Sequence, residues 1–249
     1  MFVLAIRQSG TMPSNPIPPF YEVARLTHQT DEATLKACIK YRLTPPPEMS
    51  LSWLRQSDYK VLSGRLTLAA LENSIDNKLP PNARPSVKLA VKSLLDFAKE
   101  KAWLGEPLPR FNLEIGRGAV LPVRVAGRFH SKDNRWVVGL QPRLDGAPSL
   151  FWQMQTWLAL IQEAYCLDPL APAEPLILDV SRDPITGKRG FHAIGLSEVP
   201  LITRDELNNR LNRFLDCWAR AVEAVPVRPR RERSTTKGSV PPFIPGLEP

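Results

Sequence analysis

The sequence predicts an α/β (α+β) fold: a small mixed sheet flanked by helices, with a core of order α-β-β-β-α-β, a helical N-terminal region and a disordered C-terminal tail. Three observations point to it. Apolar residues recur at helical spacing near residues 86–103, 149–167 and 203–225. Between the first two of these stretches, short runs rich in Val, Leu and aromatic residues are separated by glycines and a turn. The 26 prolines of this 249-residue chain gather between such segments and so punctuate them. With 43% hydrophobic residues the chain can bury a real core.

Residues 2–6, FVLAI, read as a short buried strand, and SGTMPSNPIPPF after them as extended loop. A helix is expected from Asp31 to Tyr41, capped by Thr30, with Leu35, Cys38, Ile39 and Arg42 at helical spacing; Pro45, Pro46 and Pro47 stop it. A second, from Leu66 to Leu79, places Leu68, Leu71 and Ile75 on one face and ends at Pro80 and Pro81. The helix from Ser86 repeats Val87, Ala90, Val91, Leu94, Leu95 and Ala98 at the i, i+3, i+4, i+7 spacing. The period then changes. Phe111–Ile115, Leu121–Phe129 and Trp136–Gln141 read as strands, the last two joined into an antiparallel hairpin by the SKDN turn at 131–134.

Ser149–Leu167 is expected to be a helix with Phe151, Met154, Leu158, Ile161 and Tyr165 on its apolar face. LILDVS (176–181) is a near-continuous apolar strand, and GFHAIGL beyond the DPITGK turn is its candidate partner. The last helix opens with Thr203 three residues before Glu206, the capping-box spacing, and runs to Val225 with Leu207, Leu211, Phe214, Leu215, Trp218 and Val222 inward. The expected organisation is an N-terminal strand and helical region (1–82), an α/β core (83–225) and a basic, proline-rich tail (226–249). The tail carries five basic and two acidic residues and no periodicity.

Lys and Arg total 33 against 25 Asp and Glu, a net charge of +8, so the expected partner is acidic, with nucleic acid ahead of an anionic membrane surface. Cys38, Cys166 and Cys217 lie far apart with no CxxC pair, which argues against a disulfide framework or a zinc knuckle and for a reducing cytoplasm. The apolar run in MFVLAIRQSG is too short for a signal-peptide core, and no segment approaches the roughly 18 apolar residues of a membrane helix, so a soluble chain without a membrane partner is expected. GxGxxG and GxxxxGK[ST] are absent, and His28, His130 and His192 lack metal-ligand spacing; neither a cofactor nor a metal is expected.

Glu114 in FNLEIG, then VAGRFH (125–130), NRWVVGLQPR (134–143) and WQMQTWL (152–158) follow one another in the α-β-β-β-α-β order. This pattern, over residues 86–182, resembles the core of the PD-(D/E)XK nucleases, most closely the RecB, AddB and CRISPR-associated adaptation branch. Such nucleases hold Mg²⁺ with hard oxygen ligands, and a lysine positions the attacking water. The resemblance puts the second-strand metal-binding Asp on His130, the third-strand one on Gly139 and the lysine on Gln141, or on Arg143 with the strand shifted by two. It therefore implies a nuclease-like core that has lost its catalytic set. DPITGKRGFHAIGL also looks like the glycine-rich loop of CRISPR repeat-processing endoribonucleases, which implies metal-free RNA cleavage with His192 or His28 as base and Arg189 stabilising the phosphorane.

Nucleic-acid contact is expected from Arg124, Arg128, Lys132, Arg135 and Arg143 around the hairpin, Lys188 and Arg189 in the glycine-rich loop, and Arg210, Arg213 and Arg220 as a stripe on the last helix. Trp136 and Trp152 are candidate stacking partners for bases. The expected function is nucleic-acid binding by a catalytically degenerate core within a DNA- or RNA-handling defence or mobile-element assembly, alongside other protein subunits. The alternatives are a metal-independent endoribonuclease and a protein-interaction subunit whose proline-rich arms dock a partner.

Overall fold

Two short helices, α1 (Phe20–Leu26) and α2 (Asp31–Leu43), come first in the computed structural model, which describes residues 17–44, 58–82, 84–132, 134–141, 150–181 and 191–226. A short helix α3 (58–62), α4 (Leu68–Lys78) and α5 (Arg84–Lys101) follow. Then come β1 (Leu104–Glu106), β2 (Phe111–Glu114), β3 (Val120–Val123), β4 (Gly127–His130), β5 (Arg135–Gln141), α6 (Phe151–Tyr165), β6 (Glu174–Asp179), β7 (His192–Ile194) and α7 (Arg204–Ala224). The described residues thus form a mixed α/β fold of seven helices, a five-stranded sheet of order β1-β4-β5-β6-β7, and a separate β2–β3 hairpin. The expected strand at 2–6 and the tail after Pro226 lie outside the described residues.

The sheet is mixed. β1, β4 and β5 run antiparallel in turn, β5 and β6 run parallel across the α6 crossover, and β7 returns antiparallel. One face packs on α3, α4 and α5 through Phe129, Val138, Leu140 and Leu178; the other packs on α6, with α1, α2 and α7 around it, through Val137 and Ile177. The helices before residue 83 contribute to both clusters, so they share one interior with the α/β core. No helix among the described residues is long and apolar enough to cross a membrane.

The helical periodicities carry over. All six apolar positions expected on α5 are buried, as are all six on α7. Thr30, Thr67 and Thr203 cap α2, α4 and α7, each accepting from the backbone N–H three residues on at 3.1–3.3 Å. The box at Thr203 is half made, because the Glu206 carboxylate accepts from Arg210 Nε at 2.7 Å. α6 is buried nearly all round, except that Phe151, expected inward, is 53% exposed.

The strand order departs from expectation in the first half of the core, where β1 was not expected and β2 lies outside the main sheet. The run Leu121–Phe129 is two strands in two sheets: β3 pairs with β2, and the chain then crosses to put β4 between β1 and β5. Two glycines permit the close approach of β1 and β4. A Cβ on Gly127 would lie 2.7 Å from the Glu106 carbonyl, and one on Gly105 would lie 2.6 Å from the Phe129 ring, so β1 nests against β4 only because both positions are glycine. The hairpin is tied to α6 by Tyr165, whose hydroxyl accepts from Phe111 N at 3.0 Å and lies 2.9 Å from the carbonyls of Pro109 and Val123.

Arg42 fastens the start of the chain to its end. Its buried guanidinium donates to the carbonyls of Val225 (2.6 Å) and Pro226 (2.8 Å) and lies over the Trp218 ring. The three cysteines are buried free thiols, and burial pushes Cys38 and Cys166 up to about 12. Native protein at pH 8 is therefore expected to resist iodoacetamide at least ~100-fold better than the urea-unfolded chain, scored by mass spectrometry. The sign of the pH effect follows. These thiols contribute stability that is complete below their ordinary pKa of 9.0 and is lost as pH climbs towards 12.

Candidate nucleic-acid interface

Of the basic residues expected to form one surface, those of the β4–β5 hairpin lie side by side, and those of α7 do not. In the hairpin, the register opposes His130 to Arg135 and Arg128 to Val137, so Arg128, His130 and Arg135 share one face of the sheet while Lys132 sits in the turn. A 3.0 Å bond from Ser131 N to the Asn134 carbonyl closes that turn. His130, Lys132 and Arg135 are exposed; Arg128 is half-buried and donates to Glu106 across the β1–β4 pair at 3.1 Å. Arg124 lies apart, exposed between β3 and β4, near enough to Tyr165 for its charge to favour the phenolate. Burial still dominates there and raises the Tyr165 pKa.

On α7 the three arginines separate by role. Arg210, with a side chain only 13% exposed, donates to Glu206, to the Trp152 carbonyl (2.9 Å), to Thr156 Oγ1 (3.2 Å) and to Gln155 Oε1 (3.3 Å). Arg213 donates to Asp31 Oδ1 and to the His28 carbonyl, both at 3.0 Å. These two tie α7 to α6 and to the α1–α2 turn, and Arg220 alone of the three is exposed. Arg143, Lys188 and Arg189 lie outside the described residues.

The tryptophans part from the basic face as well. Trp136 opposes Phe129 and lies on the other side of the sheet, 5.5 Å from the Trp103 ring in an aromatic cluster; Trp152 lies 6.3 Å from the His28 ring at the start of α6. Burial, and then the nearby Arg25, lower the His28 pKa and so favour its neutral form.

The positions that the nuclease resemblance singles out fall on distinct parts of the fold. Glu114 belongs to the β2–β3 hairpin and not to the main sheet, where Glu106 is the acidic residue of the first strand. Gly139 lies in the middle of β5 directly under α6: a Cβ built on it would meet Ile161 Cδ1 at 2.9 Å and Trp157 Nε1 at 3.4 Å. Gln141, at the end of β5, is 0% exposed. The register continues from Gln141 to Asp179 and from Asp179 to His192, giving a polar row on one face across β5, β6 and β7 at the carboxyl ends of the two parallel strands. Sequence reasoning missed Asp179; an acidic residue closing an apolar strand was its only signal. The Asp179 carboxylate accepts from Ser181 N at 2.8 Å. Among the described residues no three His, Cys, Asp or Glu side chains gather as a metal-binding group.

The arrangement defines a three-layer mixed α/β protein with a basic hairpin at one end of its sheet. No protein-family model matches the chain, and no curated protein matches it in sequence.

Proposed function

We propose that this protein binds nucleic acid through its β4–β5 hairpin and that its nuclease-like sheet serves as a scaffold without phosphodiester-cleaving chemistry. The observation that carries the reading is the placement of Arg128, His130 and Arg135 on one sheet face with Lys132 at the tip, opposed there by Glu106. Phosphates are neutralised by such clusters at little conformational cost, because a hairpin holds its side chains at fixed spacing. Gly139 supports the scaffold half of the reading: α6 occupies the space that a third-strand carboxylate needs. Three buried thiols fit a reducing cytoplasm, and other subunits of a DNA- or RNA-handling assembly are the further partners of this reading.

The test is Lys132→Glu combined with Arg135→Glu, two exposed positions whose replacement leaves the core untouched. Fluorescence anisotropy with labelled duplex DNA and single-stranded RNA is expected to show a ~10- to 100-fold loss of affinity at low salt. On duplex DNA the salt dependence shrinks by about two phosphate equivalents. Unchanged affinity with unchanged melting sinks the proposal. A second reading, metal-independent RNA cleavage with His192 as base, is favoured by one observation, the register that places Asp179 opposite His192 across the β6–β7 pair. RNA cleavage that survives EDTA and disappears in His192→Ala replaces the first reading with the second.

A further inference from the structure

Two phenylalanines are exposed among the described residues, Phe151 at the start of α6 and Phe111 beside its end. Phe111 opens β2 and is 41% exposed, outside both core clusters. Its place is nonetheless fixed. The Tyr165 hydroxyl accepts from Phe111 N at 3.0 Å and lies 2.9 Å from the Pro109 carbonyl, and the two rings meet edge to face with centroids 5.9 Å apart. A ring held in this way, with part of its surface open to solvent, loses little freedom when something stacks on it. The surroundings are basic. The β2–β3 ladder ends on the pair Phe111 and Val123, so Arg110 and Arg124 come next on its two strands, and both are exposed. Their charges reach the Tyr165 phenol, where burial outweighs them. Across the end of α6, the charge of Arg128 reaches the buried Cys166 thiol, as does that of Glu174 at the start of β6. The Phe111 ring and the basic face of the β4–β5 hairpin therefore lie on either side of residues 165–166, with Arg110 and Arg124 next to the ring and Arg128 next to the hairpin.

We infer that Phe111 is a base-stacking platform and that the ligand of the basic hairpin is single-stranded nucleic acid. The inference rests on the hairpin reading above and adds to it a residue and a substrate class. A base inside a duplex spends both faces on its neighbours, whereas an unpaired base has a face free for an aromatic ring. Arg110 and Arg124 meet the phosphates that flank the stacked base, and Arg128 and Arg135 meet those further along the strand. Trp136 cannot take this role, because it lies on the opposite side of the sheet in the aromatic cluster with Trp103.

The experiment follows the anisotropy of three labelled probes with the full chain: oligo(dT) about 12 nucleotides long, an abasic strand of the same length, and a duplex of that length. The parent and Phe111→Tyr are expected to bind the base-bearing strand ~5- to 50-fold tighter than the abasic one, the range of one stacked base. Phe111→Leu is expected to lose that advantage while keeping its affinity for the abasic strand, its salt dependence and its melting temperature, because no charge is removed. A purely structural role for Phe111 would weaken binding of both strands alike. An advantage for bases that survives in Phe111→Leu, an equal loss in Phe111→Leu and Phe111→Tyr, or a parent that favours the duplex overturns the platform and leaves the hairpin reading in place. A parent that binds none of the three probes overturns both.

Discussion

Gly139→Asp is expected to abolish stable folding, and Gly139→Ala to lower stability by about 1–3 kcal/mol. The added methyl of alanine already lies 2.9 Å from Ile161 Cδ1, on the middle strand of the sheet and under a largely buried helix, so neither partner has room to retreat. Aspartate adds a charge. The Trp157 indole N–H, 3.4 Å from the new Cβ, offers one donor to a carboxylate that needs several, and the rest of that surface is apolar. Guanidinium denaturation of the alanine variant and solubility of the aspartate variant read the two effects. An aspartate variant as stable as the parent would mean that α6 does not lie on β5. The result bears on the proposed function too, since a carboxylate cannot be introduced at this position by a single substitution.

Arg210→Ala is expected to cost about 3 kcal/mol, among the largest effects of any charged residue in the chain. It strips donors at once from the Trp152 carbonyl, Thr156, Gln155 and Glu206, at a junction that holds α7 to the start of α6. Arg220→Ala on the same helix is exposed and is expected to change stability by less than ~0.5 kcal/mol. Chemical denaturation of the two variants side by side decides the matter, and equal effects would refute the separation of roles. Any loss of nucleic-acid binding in an Arg210 or Arg213 variant has to be read beside its melting curve.

The long helices were legible because burial on one side leaves a period in the sequence. Val87 to Ala98 on α5 and Leu207 to Val222 on α7 are such cases, and their inward positions follow from spacing alone. α1 left no period: five of its seven residues are buried, so no polar face marks its turn. β1 is three residues long, too short to alternate, and the alternation of β2 and β3 reads the same whichever sheet they join. That is why the first strand of the core was sought at 111–115 when it lies at 104–106.

The candidate site divides in the same way. The hairpin was legible because strand register follows from a turn of known length, whereas the burial of Arg210 was not. An arginine facing water and one facing the open carbonyl of another helix have the same sequence signature. Asp179 is legible only once β7 is known to lie beside β6.

The bonds from Arg42 to Val225 and Pro226 join residues more than 180 positions apart, and α2 lies along α7. On the ribosome, α2 emerges with its apolar side uncovered, and its cover, α7, is made roughly 160 residues later. At ordinary synthesis rates of ~5–20 residues per second, the wait is roughly ten to forty seconds. During that interval Cys38, which ends with a thiol pushed up to about 12, is an ordinary reactive cysteine. The newborn chain therefore exposes a thiol that the finished protein buries.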